Sequence, residues 1–151
     1  MKILGVDPGL ERTGWGIIET KDRRLLEAGL ITTAPEFSFQ RRLFIISRDF
    51  EFVLHRYPIQ WVYVEKLYFS SKTAKNMADV LQARGVILSV VGKYEIPLKE
   101  IPPTQIKKSI TNNGRAKKED VIRTLKKLYG IEDPSFTDDV YDAIAVALSF
   151  T

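Results

Sequence analysis

A mixed β-sheet with helices packed on its faces is the fold class that this 151-residue sequence predicts. Three observations carry the prediction. Three β-rich segments joined by tight turns open the chain, strands then alternate with helical patterns, and residues 61–64 form a wholly apolar run suited to a strand covered on both faces. At this length and with 44% hydrophobic residues, the chain matches one ordinary domain able to bury a core unaided.

The elements follow in order. Residues 2–6 make a short strand that leads into Pro8-Gly9, and residues 13–18 and 25–32 make two more, with Gly14 and Gly16 inside the second and a hairpin turn around Lys21-Asp22. Ser38 is placed to cap a helix running to about Tyr57, with Phe39, Leu43, Ile46, Phe50 and Val53 or Leu54 at helical spacing, and Pro58 ends it. Residues 61–64 are the fourth strand. A second helix starts near Ser71 or Thr73 and continues to about Tyr94. Its later half, residues 80–91, is apolar almost all round, so it needs cover on two sides, and a second subunit could supply one of them. Residues 98–101 are the fifth strand, stopped by Pro102-Pro103. Thr104 caps a short helix to about Ile110, Asn112-Asn113-Gly114 turns the chain, and helices over 118–129 and 138–150 complete it.

Composition narrows the chemistry. With no cysteine and a single histidine, His55, neither a disulfide framework nor a thiolate or imidazole metal site is available, so any metal is held by oxygen. The N-terminus has no apolar core of signal-peptide length and no run approaches the roughly 20 apolar residues of a membrane span. A cytoplasmic protein with no membrane association is the expectation. The net charge of +4 is unevenly spread: residues 104–127 carry eight basic side chains and two acidic ones, leaving the rest slightly negative. Such a segment suits a polyanion, although a solvated helix face explains the charge run equally well by itself.

Four carboxylates stand where scaffold elements end or begin. Asp7 closes the first strand, Glu65 closes the fourth, and Asp139 and Asp142 open the last helix on one face at i and i+3. In the predicted sheet the first and fourth strands are neighbours, so Asp7 and Glu65 converge at one edge, and the last helix can deliver its aspartates there. Asp138 also shares a face with Asp142, at i+4, so spacing admits either Asp138 or Asp139. Taken singly, each acid has a structural explanation: Asp7 can hold a Pro-Gly turn, and aspartates at a helix start complement the macrodipole. Glu65 has none, because an apolar central strand gives no reason to end on an acid. Four clustered negative charges make sense only with a cation, and hard oxygen donors suit Mg²⁺ or Mn²⁺.

Gly5-Val6-Asp7-Pro8-Gly9 with Thr13-Gly14-Trp15-Gly16, Glu65 followed by an aromatic pair, Gln82-Ala83-Arg84-Gly85-Val86, and Asp139-Val140-Tyr141-Asp142-Ala143 together resemble the RuvC family of Holliday-junction resolvases, in order and spacing over nearly the whole chain. The resemblance implies a ribonuclease-H-like fold and a homodimer that nicks four-way DNA junctions symmetrically in recombination and repair, beside a branch-migration motor. It implies Mg²⁺ or Mn²⁺, two ions per site, held by Asp7, Glu65, Asp139 and Asp142, the pattern Asp-x-x-Asp-Ala favouring Asp139 over Asp138. Its functional lysines fall on Lys107 and Lys118. On this reading Asp7 bridges the ions, Lys118 adds positive charge near the scissile phosphate, and Lys107, Lys108, Arg115 and Lys117 grip the flanking backbone.

Tyr68 or the adjacent Phe69 matches the family's DNA-facing ring, with packing into the core as the competing role for either. Gln82, Arg84 and Gly85 suit packing or an interface. Competing functions are another nuclease of the same fold acting on RNA or RNA/DNA, and a non-catalytic junction-binding dimer, which four intact acids disfavour. The first loop also resembles that of actin-like ATPases and sugar kinases, but those need a second, duplicated domain.

Overall fold

The computed structural model describes residues 1–68 and 74–150, with the side chains of residues 74–76 left aside. Five strands and five helices are described: β1 (Lys2–Asp7), β2 (Arg12–Glu19), β3 (Arg24–Thr32), α1 (Phe39–Leu54), β4 (Trp61–Glu65), α2 (Ala74–Lys93), β5 (Leu98–Ile101), α3 (Pro103–Thr111), α4 (Lys118–Leu128) and α5 (Asp138–Leu148). The strands form one sheet in the order β3-β2-β1-β4-β5. β1 is antiparallel to β2, and β2 to β3, whereas β1 and β4, and β4 and β5, run parallel. The first and fourth strands are therefore neighbours, and Asp7 and Glu65 end them on the same side.

Alternation of side chains sends adjacent residues to opposite faces of the sheet. Ile3, Ile18 and Tyr63 join the core beneath α3, α4 and α5, where Ile106, Leu125 and Ile144 are buried. Leu4, Ile17 and Val62 join the core beneath α1 and α2, with Ile46, Phe50, Ile87 and Val91. Among the described residues, no helix is long and apolar enough to cross a membrane.

Three sequence expectations are corrected at helix ends. α3 begins at Pro103 with Pro102 in the capping position, in place of a Thr104 cap, because proline is preset for the first helical turn and needs no hydrogen-bond partner there. α1 stops at Leu54, before Tyr57, where His55 donates its backbone N–H to Phe52 and Val53. α5 stops at Leu148, where Ser149 caps back onto Val146. The start of the second helix predicted at Ser71 or Thr73 lies outside the described residues.

Candidate active site

α5 reaches the sheet because glycine clears its path. A Cβ on Gly5 would sit 2.1 Å from the Ala143 carbonyl oxygen, one on Gly16 would sit 2.8 Å from Ile144 Cγ1, and Gly14 is equally confined by the start of the helix. Helix backbone thus lies directly on β1 and β2. Its first turn is thereby brought against the end of β1, where Asp7 is paired in register with Gly14.

The result is a carboxylate cluster: one oxygen each of Asp7, Asp139 and Asp142 lies within 4.8 Å of the others. Glu65 stands just outside this trio but within electrostatic reach, since its charge acts on Asp7. Asp138, with a side chain 71% exposed, is outside the cluster and 4.0 Å from Lys118 Nζ. The loop after Asp7 is held by Thr13, whose hydroxyl donates to the Gly9 carbonyl at 2.7 Å and accepts from the Gly9 N–H at 3.2 Å.

Electrostatics show how crowded the acids are. Burial, then the charges of Asp142 and Asp139, a hydrogen bond with Asp139, and Glu65 push the Asp7 carboxyl up to about 8. Glu65 is raised by burial and by Asp142, against the pull of Lys107, Lys118 and Arg84. Burial also raises Asp142, although Lys118 opposes it. Lys118 Nζ lies 2.9 Å from Asp142 Oδ2. Burial alone would lower the Lys118 ammonium, but Asp142, Asp138 and Asp7 outweigh it and the net shift is upward.

Beside the acids a cavity of about 230 Å³ is lined by Glu65, Asp142, Lys107 and Lys118 over an apolar floor that includes Ile106, Val121 and Val146. Lys107 is half-buried in that wall, while Lys108, Arg115, Lys117 and Lys118 are exposed. The basic segment thus flanks the cluster through α3, the following turn and the start of α4. Tyr68 is 57% exposed, which removes it from the core, and the Lys66 ammonium lies 5.6 Å from its ring centre. Phe69 lies outside the described residues.

Two residues near the site were not legible as such in the sequence. Arg12 Nε pairs with Asp139 Oδ2 at 3.2 Å, across the cluster from Lys118. Arg84, expected to pack or to serve an interface, donates from Nη1 to the Glu65 carbonyl at 2.9 Å. Its standing as the one charged residue among the otherwise largely apolar residues 80–91 was the available signal. Gly85, one residue on, has no atom within 4 Å of the Cβ position and faces outward beside Gln82, Val86 and the 64%-exposed Phe44.

Comparison with known proteins agrees with this arrangement. The family described as crossover junction endodeoxyribonuclease RuvC matches residues 3–150. Proteins of that name from Synechococcus sp. (strain CC9902) and Prochlorococcus marinus (strain MIT 9303) are each 37% identical over 151 residues, covering 99% of this chain and 97% of the relative. The structure of T. thermophilus RuvC in complex with a Holliday junction substrate superposes with a TM-score of 0.85 at 26% identity, covering 99% of this chain and 91% of that one. That fold is ribonuclease-H-like. By a family match spanning almost every residue, the chain belongs to the RuvC family of crossover junction endodeoxyribonucleases.

Proposed function

We propose that this chain is a structure-selective endonuclease, a single nuclease domain that resolves four-way DNA junctions by paired, symmetric, metal-dependent nicks during recombination and repair in the cytoplasm. The observation that carries the reading is the convergence of Asp7, Asp139 and Asp142 within 4.8 Å at the end of a rigid sheet. Family membership and the likeness to T. thermophilus RuvC, solved with a Holliday junction substrate, support the choice of DNA.

The donor set fits Mg²⁺ or Mn²⁺. It offers only oxygen, at the mouth of an open cavity, and its charge is under-compensated: Lys118 answers Asp142 and Arg12 answers Asp139, but among the described residues Asp7 has no ion-pair partner. Asp7, Glu65, Asp139 and Asp142 would hold two ions. When bound, the metal supplies positive charge to the attacked phosphate and lowers the pKa of water towards neutrality.

The protein's own groups do the rest. The carboxylates fix the reacting region at the end of the sheet, Lys118 places an ammonium beside the phosphate, and Lys107 grips the next phosphate from the cavity wall. Lys108, Arg115 and Lys117 extend that grip along the backbone. Tyr68, already exposed, offers a face on which an unpaired base can stack.

Selectivity for a branched substrate would come from a homodimer, whose two sites at a fixed separation engage two strands of a junction but not one linear duplex. The outward face of α2 with Leu43 and Phe44 of α1 is the surface that suits it. Family membership supports cooperation with a branch-migration motor. Cleavage of junction, linear duplex and RNA/DNA hybrid, each with Mg²⁺ and with chelator, tests the reading: linear duplex or hybrid cut as fast as the junction sinks it. Sedimentation at micromolar concentration that shows only monomer, with and without junction, sinks the dimer.

A further inference from the structure

The end of β4 has a structural problem that the sequence itself creates. Val62 and Lys66 donate their N–H groups towards β5, to the carbonyls of Pro97 at 2.9 Å and Ile101 at 2.8 Å. Peptide groups of alternate residues point to opposite sides of a strand, so Glu65 turns its carbonyl towards β1. Pairing of β1 with β4 runs from Ile3 opposite Trp61 to Val6 opposite Val64, and there it stops. One more rung would require the residue after Asp7 to donate to the Glu65 carbonyl. That residue is Pro8, which has no N–H.

Arg84 supplies the missing donor. It projects from α2 next to the fully buried Ala83, is itself 7% exposed, and places Nη1 2.9 Å from the Glu65 carbonyl oxygen. Its Nη2 lies 3.4 Å from Glu100 Oε2 on β5. A buried guanidinium is expensive unless its hydrogen bonds are met, so its orientation is set by these two partners. It thus spans from the strand that ends in Glu65 to the strand beside it, using a helix as its base.

We propose that Arg84 is the positioning residue for Glu65: it supplies the donor that Pro8 cannot and ties the end of β4 to α2 and β5 before metal or DNA arrives. The inference rests on the reading of Glu65 as a metal ligand. Partners that orient a ligand in this way are typically worth ten- to a hundredfold in metal affinity.

Mn²⁺ binding to the full chain without DNA, followed by calorimetry, is the test. Arg84→Met should weaken Mn²⁺ binding roughly tenfold and raise the Mg²⁺ needed for half-maximal nicking to a similar degree, with metal-free junction binding unchanged. Arg84→Lys, which keeps the charge but loses the planar fork, should fall between Arg84→Met and the parent. In a Glu65→Gln background, Arg84→Met should add no further loss of Mn²⁺ affinity, because both changes act through one ligand. Unchanged Mn²⁺ affinity in Arg84→Met, or a full second loss on top of Glu65→Gln, overturns the proposal. Should Arg84→Met not fold, Arg84→Lys and Glu100→Gln answer the same question, and parental Mn²⁺ affinity in both overturns it. If Glu65→Gln alone binds Mn²⁺ like the parent, the fault lies in the ligand assignment, which is visible separately.

Discussion

A Cβ placed on Gly14 would lie 2.0 Å from the backbone carbonyl oxygen of Asp139. No rotamer change relieves that contact, since the obstacle is backbone. Gly14→Ala must therefore push the start of α5 off the sheet, at a cost of about 1–3 kcal/mol or more. It should also lower nicking in the molecules that do fold, because Asp139 moves with the helix. Gly92→Ala is the control: its Cβ meets nothing within 4 Å, and alanine in a helix is favoured by about 0.8–1.0 kcal/mol over glycine. Urea unfolding of both variants checks this, and a Gly14→Ala protein as stable and as active as the parent would refute the glycine argument.

The acids give the most exposed prediction. Asp7→Asn, Glu65→Gln, Asp139→Asn and Asp142→Asn are nearly isosteric, yet each removes a charge from the proposed metal site. Losing several kcal/mol of stabilisation in the transition state lowers the rate by about a thousandfold or more. Junction binding should survive or tighten, since one fewer negative charge faces the phosphate. Asp138→Asn should change little, because its side chain is 71% exposed and stands outside the cluster. Single-turnover cleavage by all five variants decides it; a dead Asp138→Asn beside an active Asp139→Asn would put the ligand register off by one.

Lys107 and Lys118 should fail differently. Lys118, 2.9 Å from Asp142, lies in the proposed reacting region, so Lys118→Ala should depress the cleavage rate with modest change in affinity. Lys107→Ala should weaken junction binding and reduce the slope of log affinity against log salt by about one. Binding measured across a salt series, alongside single-turnover rates, separates the two. Parental behaviour of both variants would leave the basic segment as a solvated face.

The Asp7 carboxyl stands at about 8 against an ordinary 3.8. Between those values the metal-free folded protein holds a proton that the unfolded chain does not. The stability contributed by this group is therefore fully present below about pH 4 and is lost as pH rises through about 8. A cation must displace the same proton, so metal affinity should rise with pH up to about 8 and level off above it. Calorimetry of Mn²⁺ binding at pH 7 in buffers of different ionisation enthalpy should show proton release; none at that pH would contradict the crowding argument.

Much of this architecture was legible in one dimension. The five strands fall within a residue of the predicted bounds at each end, because alternation, apolar runs and Pro-Gly punctuation act locally. The convergence of Asp7 with the start of α5 was legible too, through the neighbourhood of first and fourth strands. Arg12 and Arg84 were not, since their partners, Asp139 and the Glu65 carbonyl, are chosen by how α5 and α2 land on the sheet. Gly14 and Gly16 were visible as glycines inside a strand, but the helix that needs them lies more than a hundred residues away in sequence. The α3 cap went to Pro102 because two adjacent prolines offer two starts, and only packing selects one.

The strand order β3-β2-β1-β4-β5 places a parting of the chain between β1 and β4. From the end of β1 the polypeptide turns away towards β2, and from the end of β4 it departs through α2 towards β5 on the opposite side. Neighbouring strand ends from which the chain leaves in opposite directions are where open α/β sheets generally carry their ligands. The meeting of Asp7 and Glu65 at one edge is thus a property of the wiring and would persist if either side chain were replaced. Side chains there are free to vary in chemistry without having to build their own meeting place.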